Sequence, residues 1–217
     1  KERRYAWDYD AEMDIFAYSE KTGGMKQLTT AKGYDAEGGY SPDGQWIAAA
    51  IEENDQVVLV DTATNKVGRS IKMRGKNPEH AVWSPDGKWL YVSAEEADSV
   101  DIIDVAQGQV IKSVKVGDRP RGIGFLPDGT RAYVAAENAD IVNVFDVGKH
   151  EVIVRIKAGS RSNGVTVHPD GKRVYVSSGG KGTVQVIDTA TNVIIEEIPV
   201  GRRPWNMALT PDGRKLY

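Results

Sequence analysis

The sequence predicts an all-β chain built as a β-propeller of four-stranded antiparallel blades, on three observations. The triplet Pro-Asp-Gly returns five times, with its prolines at 42, 85, 127, 169 and 211, in steps of 43, 42, 42 and 42 residues. The first four triplets are each followed by the same succession of short apolar runs and polar turns, and no stretch shows helical periodicity. A fixed period of this length marks a repeat architecture, and four strands per period of about 42 residues is the size of a propeller blade. A β-sandwich also has short strands and regular turns, but nothing in it repeats one turn in phase along the whole chain.

The elements follow from the repeat. Pro presets φ for the second position of a type I turn, Asp tolerates the third and Gly closes it, so each triplet is a hairpin connection. After it come QWIAAAI, KWLYVSA, TRAYVAA and KRVYVSS, short apolar strands rich in small residues. A polar gap leads to QVVLVD (Gln56–Asp61), SVDIID (Ser99–Asp104), IVNVFD (Ile141–Asp146) and TVQVID (Thr183–Asp188). Turns such as DTATN or DVAQG then introduce KVGRSIKM, QVIKSVKV, EVIVRIKA and VIIEEIPV, and a further loop reaches the strand before the next triplet.

The two ends of the chain carry partial units. The pair Asp14–Ser19 and Met25–Thr30 has no triplet before it, and the inner strand Trp205–Thr210 has no outer strands after it. Together they would complete one blade, which predicts a single domain over 1–217: a closed five-bladed ring with one blade shared by both termini. Sharing would remove the unpaired sheet edges that an open propeller exposes. The alternative is an arc of a six- or seven-bladed propeller. Arg214–Tyr217 and Arg3–Trp7 fall at the same repeat offset, so they cannot both be the same strand.

Composition narrows the class. The 217 residues are 40% apolar without a long apolar run, so no membrane span is expected. A formal charge of −3 gives no reason to expect nucleic-acid binding. With no Cys there is no disulfide, thiolate metal site or thiol chemistry. The chain begins at Lys1, as a secretory chain does after loss of its leader, or any chain cut at that point.

From about Gly75 onward the repeats resemble the YVTN-type β-propeller family. The resemblance is carried by KVGDRPRGIGFLPDGTRAYVAA, KAGSRSNGVTVHPDGKRVYVSS and PVGRRPWNMALTPDGRKLY, joined by VIDTATN-like hairpins. The first third, DIFAYSEKTGGMKQLTTAKGYDAEGGYSPDGQWIAAA, is similar instead to the WD40-like repeat of the periplasmic Tol–Pal propeller. These resemblances imply a periplasmic or secreted protein with a partner-binding role. The change of repeat type midway is what a divergent natural propeller, a recombined one or a designed one would show.

Candidate site residues come from the loops that lead into each inner strand, which lie around the central channel of a propeller. They read AKGYDAE, RGKNPEH, VGDRPRG, AGSRSNG and VGRRPWN. A scaffold repeats and a site differentiates, so their differences are informative. Lys76, Arg119, Arg121, Arg161, Arg202 and Arg203 put six cations on this rim, with Glu37, Glu79 and His80 facing them. Outside them an acidic belt is expected from Asp8, Asp10 and Glu12, then Glu52, Glu53 and Asp55, then Glu95, Glu96 and Asp98, then Glu137 and Asp140. The binding set is Arg119, Arg121, Arg161, Asn163, Arg203, Trp205, Tyr34, Glu37, Glu79 and His80. In it, Arg forks would hold an anion or an acidic peptide, with Trp205 and Tyr34 as aromatic anchors. The plainer alternative is that these cations pair with the acidic belt for solubility and that Trp205 is a packing residue.

Catalytic and metal signatures do not emerge. Glu79 and His80 are adjacent on a strand and point to opposite faces, which argues against a metal site with Glu37. No G-x-S-x-G elbow occurs, and SGGKGT lacks both the spacing and the following helix of a phosphate loop. His150, in a hairpin turn, and His168, before a triplet, are expected to be solvated turn residues. No cofactor and no enzymatic activity are expected, and the chain is expected to be a monomer. Three function classes stand: a binding or scaffold propeller of the cell envelope, a recombined or designed propeller without function, and a lactonase-like hydrolase using the channel mouth.

Overall fold

The structure, a computed structural model, describes residues 16–19, 21–27 and 35–217, with the backbone alone for 17–19 and 35–37. Its strands form a hairpin of β1 (Phe16–Ser19) and β2 (Gly24–Gln27), followed by four antiparallel sheets of four strands. The first blade is β3 (Asp35–Tyr40), β4 (Trp46–Ile51), β5 (Gln56–Asp61) and β6 (Lys66–Lys72). The second is β7 (Pro78–Trp83), β8 (Trp89–Ala94), β9 (Ser99–Asp104) and β10 (Gln109–Lys115). The third is β11 (Pro120–Phe125), β12 (Arg131–Ala136), β13 (Ile141–Asp146) and β14 (Glu151–Lys157). The fourth is β15 (Ser162–Val167), β16 (Arg173–Ser178), β17 (Thr183–Asp188) and β18 (Val193–Pro199). Strand order within each sheet equals chain order, the meander of a propeller blade. The first strands β3, β7, β11 and β15 lie beside one another in succession and so line the channel.

Both faces of a blade are buried, which is why its middle strands read as continuous apolar runs. In β4, Ala48 and Ala50 join Val57 and Leu59 against Ala81, Trp83 and Leu90 of the second blade. On the opposite face Ile47, Ala49 and Ile51 cluster with Val58 and Val60. Further clusters fill the second–third seam (Tyr91, Ile102, Phe125, Phe145) and the third–fourth seam (Tyr133, Val144, Val174, Ile187). The core is thus a series of seams between neighbouring sheets. The outer strands face solvent: every residue of β6 is exposed except Ile71.

The five triplets are the turns the sequence predicts. Their glycines 44, 87, 129, 171 and 213 have φ of 70, 71, 71, 71 and 70°, a left-handed conformation that costs a residue with a Cβ about 1 kcal/mol. Asp43, Asp86, Asp128, Asp170 and Asp212 each accept the N–H of the residue two further on, at 3.0, 3.1, 2.9, 2.8 and 3.0 Å. The Ser41 hydroxyl and the Gln45 N–H together hold the Asp43 carboxyl below its ordinary value.

Arg214–Tyr217, unplaced by sequence reasoning, folds back on the inner segment. The N–H groups of Ala208 and Tyr217 donate to each other's carbonyls at 2.9 Å, and Thr210 N–H donates to Lys215 O at 2.9 Å. The segment therefore begins the second strand of a further blade, whereas β1–β2 matches a third and fourth strand by repeat offset. Arg3–Trp7 lies outside the described residues.

A specific bond crosses two of the seams. Tyr91 Oη meets His150 Nδ1 at 2.9 Å, and Tyr133 Oη donates to Asn192 Oδ1 at 2.8 Å. His150 is therefore no solvated turn residue: it is half-buried, with Trp89 edge-on at 4.6 Å. His168 also departs from expectation, since its Nε2 lies 3.2 Å from Gly213 O. In the first blade Ala48 occupies the tyrosine position, and Arg69 Nη1 donates instead to Val105 O at 2.9 Å.

Candidate functional site

The loops that enter the first strands share one backbone design. Asn77, Arg119, Arg161 and Arg203 stand at equivalent positions with φ of 57, 59, 55 and 53°. The N–H groups of Asn77, Arg119 and Arg161 donate to Oδ1 of Asp55, Asp98 and Asp140, at 2.9, 3.4 and 2.9 Å. Each Asp belongs to the loop of the preceding blade, so these three entry loops are fixed by their neighbours. Arginine takes left-handed backbone less readily than asparagine or glycine, and strain of this kind gathers at functional sites.

Two residues further on, six before each repeat proline, the chain carries Ala36, Glu79, Arg121, Asn163 and Trp205. Five different residue types stand at one repeat position, and the described ones, from Glu79 on, lie beside the channel. The next position holds Gly122 and Gly164 in the third and fourth blades. A Cβ on Gly122 would lie 2.5 Å from Asn163 O, and one on Gly164 would lie 2.5 Å from Trp205 O. Consecutive first strands press together there. Ser177 Oγ accepts the Gly164 N–H at 2.8 Å and donates to Trp205 O at 2.5 Å, which sets the Trp205 segment against β15.

The structure draws Glu79, Arg119, Arg121, Glu95 and Glu137 into one buried network. Arg121, 4% exposed, contacts Glu79 and Glu95 through Nη1, the latter at 3.2 Å, and Glu137 through Nε at 3.0 Å. Arg119 Nε lies 2.8 Å from Glu95 and 3.3 Å from Glu137. Glu95 and Glu137 were expected in an outer belt; they turn inward, because two guanidiniums at the mouth need carboxylate partners. Arg119 and Arg121 are therefore engaged within the protein, as the plainer sequence reading anticipates. Trp205 is half-buried between two cations, with the Arg121 guanidinium 5.7 Å and the Arg203 guanidinium 5.2 Å from its ring centroid. Such placements are attractive when the ring face meets the cation.

Asn163 is 1% exposed, and neither its Oδ1 nor its Nδ2 has a hydrogen-bond partner. Arg161 and Arg203 are exposed. His80 is buried, its N–H donating to Ser93 Oγ at 3.1 Å, and lines a groove of about 240 Å³ with Gly38, Gly39, Tyr40, Pro42 and Ala81–Trp83. Tyr34, Asp8, Asp10 and Glu12 lie outside the described residues, as does the Glu37 side chain. Among the described residues no His, Asp and Glu cluster could hold a metal ion, and no helix is long and apolar enough to cross a membrane.

Sequence reasoning missed the inward role of Glu95 and Glu137 and a change of sign at the fourth blade. The loops after the second strands read EEND (52–55), EEAD (95–98) and ENAD (137–140), then GGKG (179–182). The acidic belt stops there. That signal was available from aligning the repeats.

The family model for YNCE-like β-propellers matches residues 13–213. No curated protein sequence matches the chain. Among solved structures, a chain of hydrazine synthase from Kuenenia stuttgartiensis is 33% identical, with a TM-score of 0.78 over 82% of this chain and 53% of that one. A chain of the mitotic checkpoint complex superimposes with a TM-score of 0.85 over 94% of this chain and 64% of that one; at 14% identity the likeness is one of fold. The chain spans between about half and two thirds of the length of these structures.

Proposed function

The chain belongs to the YNCE-like β-propeller family, and from that premise we propose that it is a non-enzymatic protein-binding module of the cell envelope that presents its channel-mouth face to a partner. One observation carries the reading: the repeat position at Glu79, Arg121, Asn163 and Trp205 is differentiated in every blade, while the turns and middle strands around it repeat. Glu79 and Arg121 answer each other within the protein, but a scaffold alone has no use for a buried Asn163 whose polar atoms are both unpartnered. The exposed Arg161, Arg202 and Arg203 beside Trp205 favour an acidic surface on the partner. The envelope setting rests on the resemblance of the repeats to those of envelope propellers. The hydrolase reading is less favoured, because a hydrolase needs a carboxylate open to substrate, whereas Glu79, Glu95 and Glu137 are tied to Arg119 and Arg121.

The test is capture from an envelope extract by the immobilised chain, followed by cross-linking. A partner held at about 50 mM salt and released at about 500 mM is expected, since exposed ion pairs are screened over that range. Its cross-links should fall on the mouth, and Trp205→Ala should abolish retention. Cross-links confined to the Pro-Asp-Gly face, or retention untouched by Trp205→Ala, would overturn the proposal.

A further inference from the structure

On the protein-binding reading above, we infer that the mouth carries an arginine-rich sector, over the seam between the fourth blade and the Pro204–Leu209 segment, and that this sector seats a carboxylate-rich peptide. The rim is electrically divided. Over the second and third blades Glu79, Glu95 and Glu137 surround Arg119 and Arg121, so carboxylates outnumber guanidiniums. Over the fourth blade the repeat offset of Glu95 and Glu137 is Gly179, and the loop G-G-K-G brings no carboxylate at all. Its one charge, Lys181, is tied to Glu197 at 2.5 Å on the outer strand. Arg161, Arg202 and Arg203 remain exposed beside this glycine loop.

One feature besides charge marks the sector as a seat. The Asn163 carboxamide, buried with both polar atoms unpartnered, stands on β15 between Arg161 and the Trp205 segment. A primary amide presents two N–H donors and a carbonyl acceptor, so its N–H groups can donate to a carboxylate and the whole group can pair with a peptide main chain.

Gly179 supplies the decisive variant. A Cβ built on it meets nothing closer than 3.5 Å, and its φ is not in the left-handed range. A Cβ is therefore accommodated at 179, and Gly179→Glu restores the missing belt carboxylate where Glu95 and Glu137 stand in the two preceding blades. The assay is fluorescence anisotropy of a labelled hexaglutamate peptide with the full chain at low ionic strength. Gly179→Glu and the double variant Arg161→Glu/Arg203→Glu should weaken binding by about tenfold or more, whereas Gly179→Ala and Lys88→Glu, on the opposite face, should stay within about twofold. Wild-type binding that Gly179→Glu leaves intact, or that Lys88→Glu weakens equally, overturns the assignment of the sector while the protein-binding reading stands. Absence of wild-type binding to hexaglutamate overturns the acidic ligand for both. A shared melting temperature between Gly179→Glu and Gly179→Ala separates loss of binding from loss of fold.

Discussion

Replacing Arg121 by Met is the sharpest test of the mouth network. The guanidinium is 4% exposed and has carboxylates at 3.0 and 3.2 Å besides its contact with Glu79. Methionine fills much of the same volume without the charge, so the variant chiefly leaves Glu79, Glu95 and Glu137 facing one another. Removing one partner of a buried ion pair costs about 3–5 kcal/mol. Two facts place this case at the lower end. Glu79 and Glu95 keep 13% and 18% side-chain exposure, and Arg119 stays 2.8 Å from Glu95 and 3.3 Å from Glu137. The expected loss is about 3 kcal/mol, which for a domain of this size lowers the melting temperature by roughly 6–12 °C. Urea titration gives the free energy and differential scanning fluorimetry the temperature. Adding Glu137→Gln should recover part of the loss, because one of the stranded carboxylates is then neutral. An Arg121→Met protein that melts within about 2 °C of wild type, or a double variant no more stable than the single one, would refute the claim that the network holds these strands together.

Other substitutions probe separate parts of the structure. Arg161→Gly relieves left-handed strain of about 1 kcal/mol and adds a similar entropic cost in the unfolded chain, so stability should hold in urea titration while hexaglutamate binding falls. Burial, reinforced by Lys112, pushes the His150 imidazole below its ordinary value of 6.5. The unfolded chain then takes up the proton first, so stability present at neutral pH is lost as pH falls through 6.5 toward the lowered folded value. His150→Asn copies the Tyr133–Asn192 bond at the next seam and should flatten that part of a melting-temperature profile against pH. Gly122→Ala would set a Cβ 2.5 Å from Asn163 O and 2.8 Å from Val165 N; backbone atoms cannot swing aside, and a loss of about 2–3 kcal/mol is expected in denaturant titration. If β1–β2 and the C-terminal segment share a blade, as the strand count suggests, deleting residues 1–27 should speed hydrogen exchange at Ala208 and Tyr217; unchanged exchange there refutes a shared blade.

The repeat made the fold legible. Each Pro-Asp-Gly fixes a turn by local chemistry alone, and the apolar runs between turns have one length and one order, so strand order followed without tertiary information. The placement of Arg214–Tyr217 did not, because its pairing with Ala208 depends on a hairpin whose outer partners have no counterpart further along the chain. At the mouth, the variable residues could be picked out by offset, and Glu79, Arg121, Asn163 and Trp205 do occupy one register. What sequence could not supply was reach. Glu95 and Glu137 belong to loops that a linear reading assigns to the outer rim, and only packed seams bring their long side chains within 3.3 Å of Arg119 and Arg121. His150 was misjudged for a related reason: a hairpin turn is exposed within its own blade, and here the neighbouring blade's Tyr91 and Trp89 cover it.

The seams are unequal joints. Where the later blades are joined by a tyrosine to the next hairpin, the first blade has Ala48 at that position and is joined to the second by Arg69 on the Val105 carbonyl and by the Trp83 indole N–H on the Gly39 carbonyl, beside a groove between β3 and β7. Each described seam thus carries its own lock, and loss of one should loosen that seam under heat or mechanical load while its neighbours stay closed.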